Sequence, residues 1–193
     1  MSNTNKAFSR PLACVTGASA GLGKLVAKQL AERGFDLLLV ARDVERLTAL
    51  ADELSLHHGI SATAYQADLS RDEPMRGLAE KLAKEERLML LVNNADFGTK
   101  GKLATRPVSE QATMLELHVM APMLLTRAVV PKMIEQREGF VITVASVASF
   151  TARRLLRSIS NSLAIIARPI SAFSFVNSVR VSENTPDRML NHF

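Results

Sequence analysis

The chain has 193 residues, 47% of them hydrophobic and 22% charged, the size and balance of one globular domain with a real core. Residues 1–10 are polar, and no apolar run reaches the roughly 18 residues of a membrane helix, so the expectation is a soluble, unexported protein with no membrane partner. The formal charge of +5 lies mostly at one end, where residues 151–193 carry six Arg against Glu183 and Asp187, and no aromatic residues interleave with basic ones, which argues against nucleic acid as a partner.

From Leu12 onward, short β-rich apolar runs alternate with longer amphipathic stretches. That alternation predicts βαβ units, hence a doubly wound α/β domain with a mostly parallel, Rossmann-like sheet. The first strand is expected over residues 12–16. It holds the only cysteine, Cys14, which cannot form an internal disulfide and reads as a small core residue, in keeping with a reducing cytoplasm. A helix follows over residues 21–33, closed by Gly34. The second strand, 35–41, contains the unbroken run Leu37-Leu38-Leu39-Val40, a pattern that implies burial on both faces. The next helix, 43–58, opens on Asp43 and spaces Val44, Leu47, Leu50, Ala51 and Leu54 along one face; His57 and His58 close it before Gly59. Then come a strand at 61–66, a helix at 72–86, a strand at 88–93, a long helix at 109–136 and a strand at 140–145. Pro131 predicts a kink or break near the end of the long helix.

After about Phe150 the character changes. Residues 151–193 have no Gly and no Lys, seven Ser, and apolar residues that keep neither a period of 2 nor one of 3.6. A short helix at 160–167 and an edge strand at Val179-Arg180-Val181 are the weak signals there. The expected organisation is a domain over 1–150 and an atypical tail over 151–193, with a sheet whose fifth strand leaves an apolar edge unless the tail covers it.

The sharpest motif is Thr16-Gly17-Ala18-Ser19-Ala20-Gly21-Leu22-Gly23, between the first strand and the first helix. Glycines there let the backbone turn tightly and approach a pyrophosphate, whose charge meets the free N–H groups and positive dipole end of the helix. At the end of the second strand, where NAD-binding domains usually place a carboxylate for the ribose 2′-OH, the chain has Ala41-Arg42. A guanidinium at that spot pairs with a 2′-phosphate and favours NADP(H). The alternative reading of Arg42 is a solvated residue at a helix start. Lys100 and Lys102 flank Gly101 and read as a surface loop, with an anion contact as the alternative.

The chain resembles the short-chain dehydrogenase/reductase family. The glycine motif is similar to that family's TGxxxGxG, Asp68-Leu69 to the site of the acidic residue whose side chain meets the adenine, Asn93-Asn94-Ala95-Asp96 to its Asn-Asn-Ala-Gly, and residues 140–146 to the strand ending in the catalytic serine, here Ser146. The resemblance implies that Gly17, Ser19, Ala20, Gly21, Leu22, Gly23, Arg42, Asp68, Leu69, Asn94 and Ala95 bind the cofactor, NADP(H). It implies hydride transfer between nicotinamide and a carbonyl or alcohol carbon. No His, Cys, Asp or Glu cluster has metal-ligand spacing, so no metal site is expected. Two motif positions differ: Asp96 stands where the family has glycine, and His118 where it has asparagine.

The family's tyrosine and the lysine four residues later are missing. The tyrosine is expected near Ile159, yet Tyr65 is the single tyrosine and Lys132 the last lysine, and neither Ser158, Ser160 nor an arginine replaces the pair. The resemblance thus implies an oxidoreductase by descent, truncated or altered at its C-terminus, with impaired catalysis. A shifted reading frame or an unrelated C-terminal segment would produce such a change. A catalytically silent NADP(H) sensor, and an interaction protein that forms a homo-oligomer through the 109–136 helix, are the rival roles.

Overall fold

A computed structural model of the chain describes residues 10–98, 105–145 and 175–180. It contains one six-stranded sheet in the order β3-β2-β1-β4-β5-β6. The strands are β1 (Leu12–Thr16), β2 (Asp36–Ala41), β3 (Ala62–Gln66), β4 (Leu88–Asn93), β5 (Phe140–Ala145) and β6 (Phe175–Arg180). The first five run parallel, and β6 lies antiparallel on β5 with Phe140 opposite Arg180. Helices α1 (Gly21–Glu32), α2 (Val44–His58), α3 (Asp72–Lys84), α4 (Val108–Leu115) and α5 (Ala121–Gln136) connect them.

The unbroken apolar strands are explained by two cores, one on each face. Leu12, Cys14, Leu38 and Val40 meet Leu78 and Leu82 of α3 and Leu125 and Val129 of α5. Their neighbours Ala13, Val15, Leu37 and Leu39 meet Ala27 and Leu30 of α1 and Leu47 and Leu50 of α2. A doubly wound sheet must bury alternate side chains in opposite directions, and a strand that is polar on either face would not serve. Complete burial pushes the Cys14 thiol up to about 12, so it stays protonated and inert, as its place in an apolar run predicts.

Helix boundaries follow their caps. Asp43 accepts a hydrogen bond from the Arg46 amide at 3.1 Å to open α2, and Gly59, in the left-handed region at φ 62°, closes it. The amino ends of the strands are tied by Asp36, which is nearly buried. One of its carboxylate oxygens accepts the Arg87 guanidinium at 2.6 Å, and the other the Ser61 amide at 2.9 Å. Asp36→Ala removes both bonds at once and is expected to lower stability by about 1.5–3 kcal/mol. An unchanged urea midpoint would contradict this.

The structure departs from the sequence expectations at several points. The 109–136 helix is interrupted by a single π turn at Glu116–Met120, while α5 continues through Pro131 to Gln136 without a break. Pro131 lies on the exposed side of α5, and its helix holds because Leu125, Val129 and Met133 pin the helix to the core. The apolar edge of β5 is covered by the tail, the outcome the sequence expectation allowed for, since β6 pairs with it along its whole length. That strand begins at Phe175, four residues earlier than Val179, and Val181 lies outside the described residues, as do residues 160–167. By length and mean hydropathy, 1.3 over its most apolar window, the stretch Val108–Gln136 is long and apolar enough to cross a membrane, although no unbroken apolar run in it reaches that length. Its Leu117, Ala121, Leu125, Val129 and Met133 are nonetheless buried against the sheet and α3.

Candidate cofactor site

The strand order reverses between β1 and β4, so the chain leaves the carboxyl ends of these neighbours in opposite directions and opens a crevice there. Two segments border it: the turn after β1, residues 17–23, and the segment after β4, residues 94–98. Thr16, at the buried end of β1, binds them together. Its hydroxyl donates to the Val92 carbonyl at 3.2 Å and accepts the Asn94 and Ala95 amides at 2.9 and 3.0 Å. Asn94 returns the contact, its Nδ2 donating to the carbonyls of Thr16 at 3.1 Å and Gly17 at 3.4 Å. The amides of Gly17 and Ala18 donate to Val40 of β2 at 2.7 and 3.2 Å. The turn is therefore held by both neighbouring strands.

This closeness dictates glycine at two positions. A Cβ on Gly17, which has φ 69°, would lie 2.8 Å from the Ala95 Cα, and one on Gly23 would lie 2.3 Å from the Gly17 carbonyl oxygen. Gly21, at φ 56°, faces open space instead, with nothing within 4 Å of its missing Cβ. Ala20 opens α1 in an extended conformation with no capping side chain, and the first turn carries no acidic residue. Ala20, Gly21 and Leu22 are exposed, Ser19 is half-buried, and Gly23 is buried. The result is a helix end with its amide donors and positive dipole end left uncapped by side chains. In α2, by contrast, Asp43 fills the corresponding place.

Arg42 and Asp68 stand at the carboxyl ends of β2 and β3 on the same rim. Arg42 is exposed, and its carbonyl accepts a hydrogen bond from the Gln66 side-chain Nε2 at 3.1 Å. Partial burial raises the Asp68 carboxyl, but hydrogen bonds from the Ser70 hydroxyl at 2.7 Å and amide at 3.1 Å, then the fields of Arg42 and Arg71, outweigh it and hold the group below the usual carboxylate range. Asp68 therefore stays ionised and fixed in orientation. Leu69 is buried and lines a small cavity with Thr16, Asn93 and Ala95 at the carboxyl ends of β1 and β4. Ser146, Lys100 and Lys102 lie outside the described residues.

The two unusual motif positions meet. His118 sits in the π turn with its side chain 12% exposed, and its Nε2 lies 3.0 Å from the Asp96 carboxylate and 3.2 Å from the Phe97 carbonyl. The His118 hydrogen bond is the leading cause that holds Asp96 below the usual carboxylate range; partial burial opposes it, and the charge of His118 and the Phe97 amide add to it. Sequence reasoning missed this pairing, and it also missed Thr16 as a brace and Thr126 and Thr143 as partners of Asn93, at 3.3 and 3.4 Å. A hydroxyl at the end of an otherwise apolar strand was the available signal for Thr16.

The profile of the short chain dehydrogenase family matches residues 11–159. The chain is 34% identical over 137 residues to the oxidoreductase YmfI of Bacillus subtilis, covering 70% of this chain and 55% of that protein. It is 32% identical over 159 residues to a very-long-chain 3-oxoacyl-CoA reductase of Emericella nidulans, covering 80% and 46%. The chain thus spans about half the length of the curated relatives it matches. Among solved structures, a short-chain dehydrogenase from Sphingobium yanoikuyae in complex with NADPH superimposes with a TM-score of 0.76 at 33% identity, over 79% of this chain and 59% of that one.

Proposed function

The chain belongs to the short-chain dehydrogenase family, and from that premise we propose that it binds NADP(H) at the turn of residues 17–23 and is an oxidoreductase of the carbonyl/alcohol type with impaired turnover. One observation carries the reading: an uncapped helix N-terminus, reached through glycines that admit no Cβ, opens on the crevice where the strand order reverses. The amides of Gly21, Leu22 and Gly23 would hold the diphosphate. Arg42 would pair with the 2′-phosphate, and ionised Asp68 would meet the adenine end. When bound, NADP(H) supplies the hydride at nicotinamide C4. Ser146 would steady the oxygen of a small carbonyl or alcohol substrate, in a cytoplasmic setting.

Impairment rests on the missing tyrosine and lysine. Tyr65 belongs to β3, two strands away from the β1–β4 crevice, with Lys81 5.9 Å above its ring. Lys132 pairs with Glu86 at 3.7 Å, near the amino end of β4 and opposite the crevice. Neither side chain reaches the place where a proton would be exchanged. Losing a general acid typically lowers a rate by about 10² to 10⁴. Titrating NADPH fluorescence should give saturable binding, while NADPH oxidation with a ketone panel should run slower by that factor than in a relative with both residues. Absence of binding overturns the cofactor assignment, and full-rate turnover overturns the impairment.

A homo-oligomer is the second reading, favoured by apolar side chains exposed along α4 and α5: Val108 at 80%, Met123 at 53% and Ile134 at 57%. A monomer by sedimentation at micromolar concentration would remove it.

A further inference from the structure

We propose that His118 is the positioning residue of the segment after β4, clamping Asp96 and Phe97 so that Asn94 and Ala95 keep the glycine turn in the shape a cofactor diphosphate needs. The inference rests on the NADP(H) reading and deepens it. His118 and Asp96 are 22 positions apart in sequence and come together because the π turn at Glu116–Met120 carries an extra residue that re-aims the ring toward the segment.

The chemistry of the contacts fixes the ring's proton. A carboxylate oxygen at 3.0 Å and a carbonyl oxygen at 3.2 Å both face Nε2, and each can only accept. Nε2 therefore carries a hydrogen shared between them. The Phe97 amide, at 3.5 Å from the same nitrogen, is the weaker alternative. The Phe97 ring meets the imidazole edge-on at 5.9 Å between centroids, so rotating His118 away from the segment would also break this contact.

The connection to the glycine turn runs through consecutive residues. Asp96 and Phe97 directly follow Asn94 and Ala95, whose amides meet Thr16 and one of which also grips the Gly17 carbonyl. A Cβ on Gly17 would be only 2.8 Å from Ala95, so a small displacement of the segment changes the space around the turn. A glycine in place of Asp96 would offer no side chain for His118 to hold. Asp96 is 72% exposed, so the pair acts by orientation rather than by a large contribution to stability.

His118→Ala should raise the NADPH dissociation constant about tenfold, through the lost clamp, while thermal melting without cofactor changes little. His118→Gln, whose Nε2 can reach the position of the imidazole Nε2, should restore most of the affinity. The Asp96 carboxyl carbon, followed by NMR as pH is lowered, should titrate below the ordinary carboxylate range and move upward in His118→Ala. If His118→Ala does not fold, Asp96→Ala, which leaves His118 no side-chain acceptor at that position, replaces it and should weaken NADPH binding while keeping the melting temperature. Wild-type affinity in both variants, or an Asp96 midpoint unmoved by the loss of His118, overturns the proposal. Absence of NADPH binding in the unmodified protein overturns the cofactor reading instead, and the carboxyl titration still decides whether His118 holds Asp96.

Discussion

Gly17→Ala should destabilise the domain by about 2–5 kcal/mol and abolish measurable NADP(H) binding. Two separate costs add. An alanine held at φ 69° incurs the left-handed backbone penalty, about 1–2 kcal/mol, and its Cβ would stand 2.8 Å from the Ala95 Cα, a backbone atom that cannot swing aside. Relieving that overlap by moving the segment after β4 adds about 1–3 kcal/mol. The movement also stretches the bonds from Asn94 and Ala95 to Thr16, which shape the site. Gly21→Ala provides the contrast, because φ 56° costs the same backbone strain but nothing lies within 4 Å of the new methyl group. Urea denaturation should therefore rank wild type above Gly21→Ala and Gly21→Ala above Gly17→Ala. Equal midpoints for the two alanine variants would show that the close approach of turn and segment does not govern stability.

Arg42→Ala should raise the dissociation constant for NADPH by about 10- to 100-fold and leave that for NADH within about twofold. A charge-assisted bond to phosphate is worth about 1.5–3 kcal/mol, and NADH has no 2′-phosphate to lose it. Arg42 is exposed and Asp43 beside it is engaged in capping α2, so the guanidinium can turn toward the rim without breaking a capping bond. Exposure also means screening: the preference for NADPH should shrink as salt is raised. Equal losses for the two cofactors in calorimetric titrations would remove the NADP(H) assignment while leaving a dinucleotide site in place.

Much of the architecture was legible because it is written in local patterns. The run Leu37 to Val40 has no polar residue on either face, so only a strand covered on both sides accommodates it, and it became the central part of β2. Asp43 and Gly59 marked the ends of α2 through capping chemistry that depends on single residues. The glycine turn was legible for the same reason. What escaped was set by contacts between distant segments. Nothing in Glu116–Met120 distinguishes a π turn from ordinary helix, and His118 acquires its meaning only where it meets Asp96. Of the kink or break expected at Pro131, the break does not occur, because buried neighbours outweigh the lost backbone hydrogen bond. The start of β6 was missed because its residues follow no clear alternation, and its pairing with β5 depends on backbone bonds rather than on side-chain pattern.

The Cys14 thiol, pushed up to about 12 and fully enclosed, should not react with alkylating reagents in the folded protein at neutral pH. Labelling should begin only on unfolding, which makes the residue an internal reporter for the stability comparisons above; rapid labelling under native conditions would contradict its burial.

The most direct test is a two-dimensional amide spectrum of the isotopically labelled protein recorded while NADPH is added. The amides from Ser19 to Gly23, at the start of α1, should shift first and farthest, with Asn94 and Ala95 following through their bonds to Thr16. Saturable binding that leaves those amides unmoved and shifts another part of the molecule would contradict this.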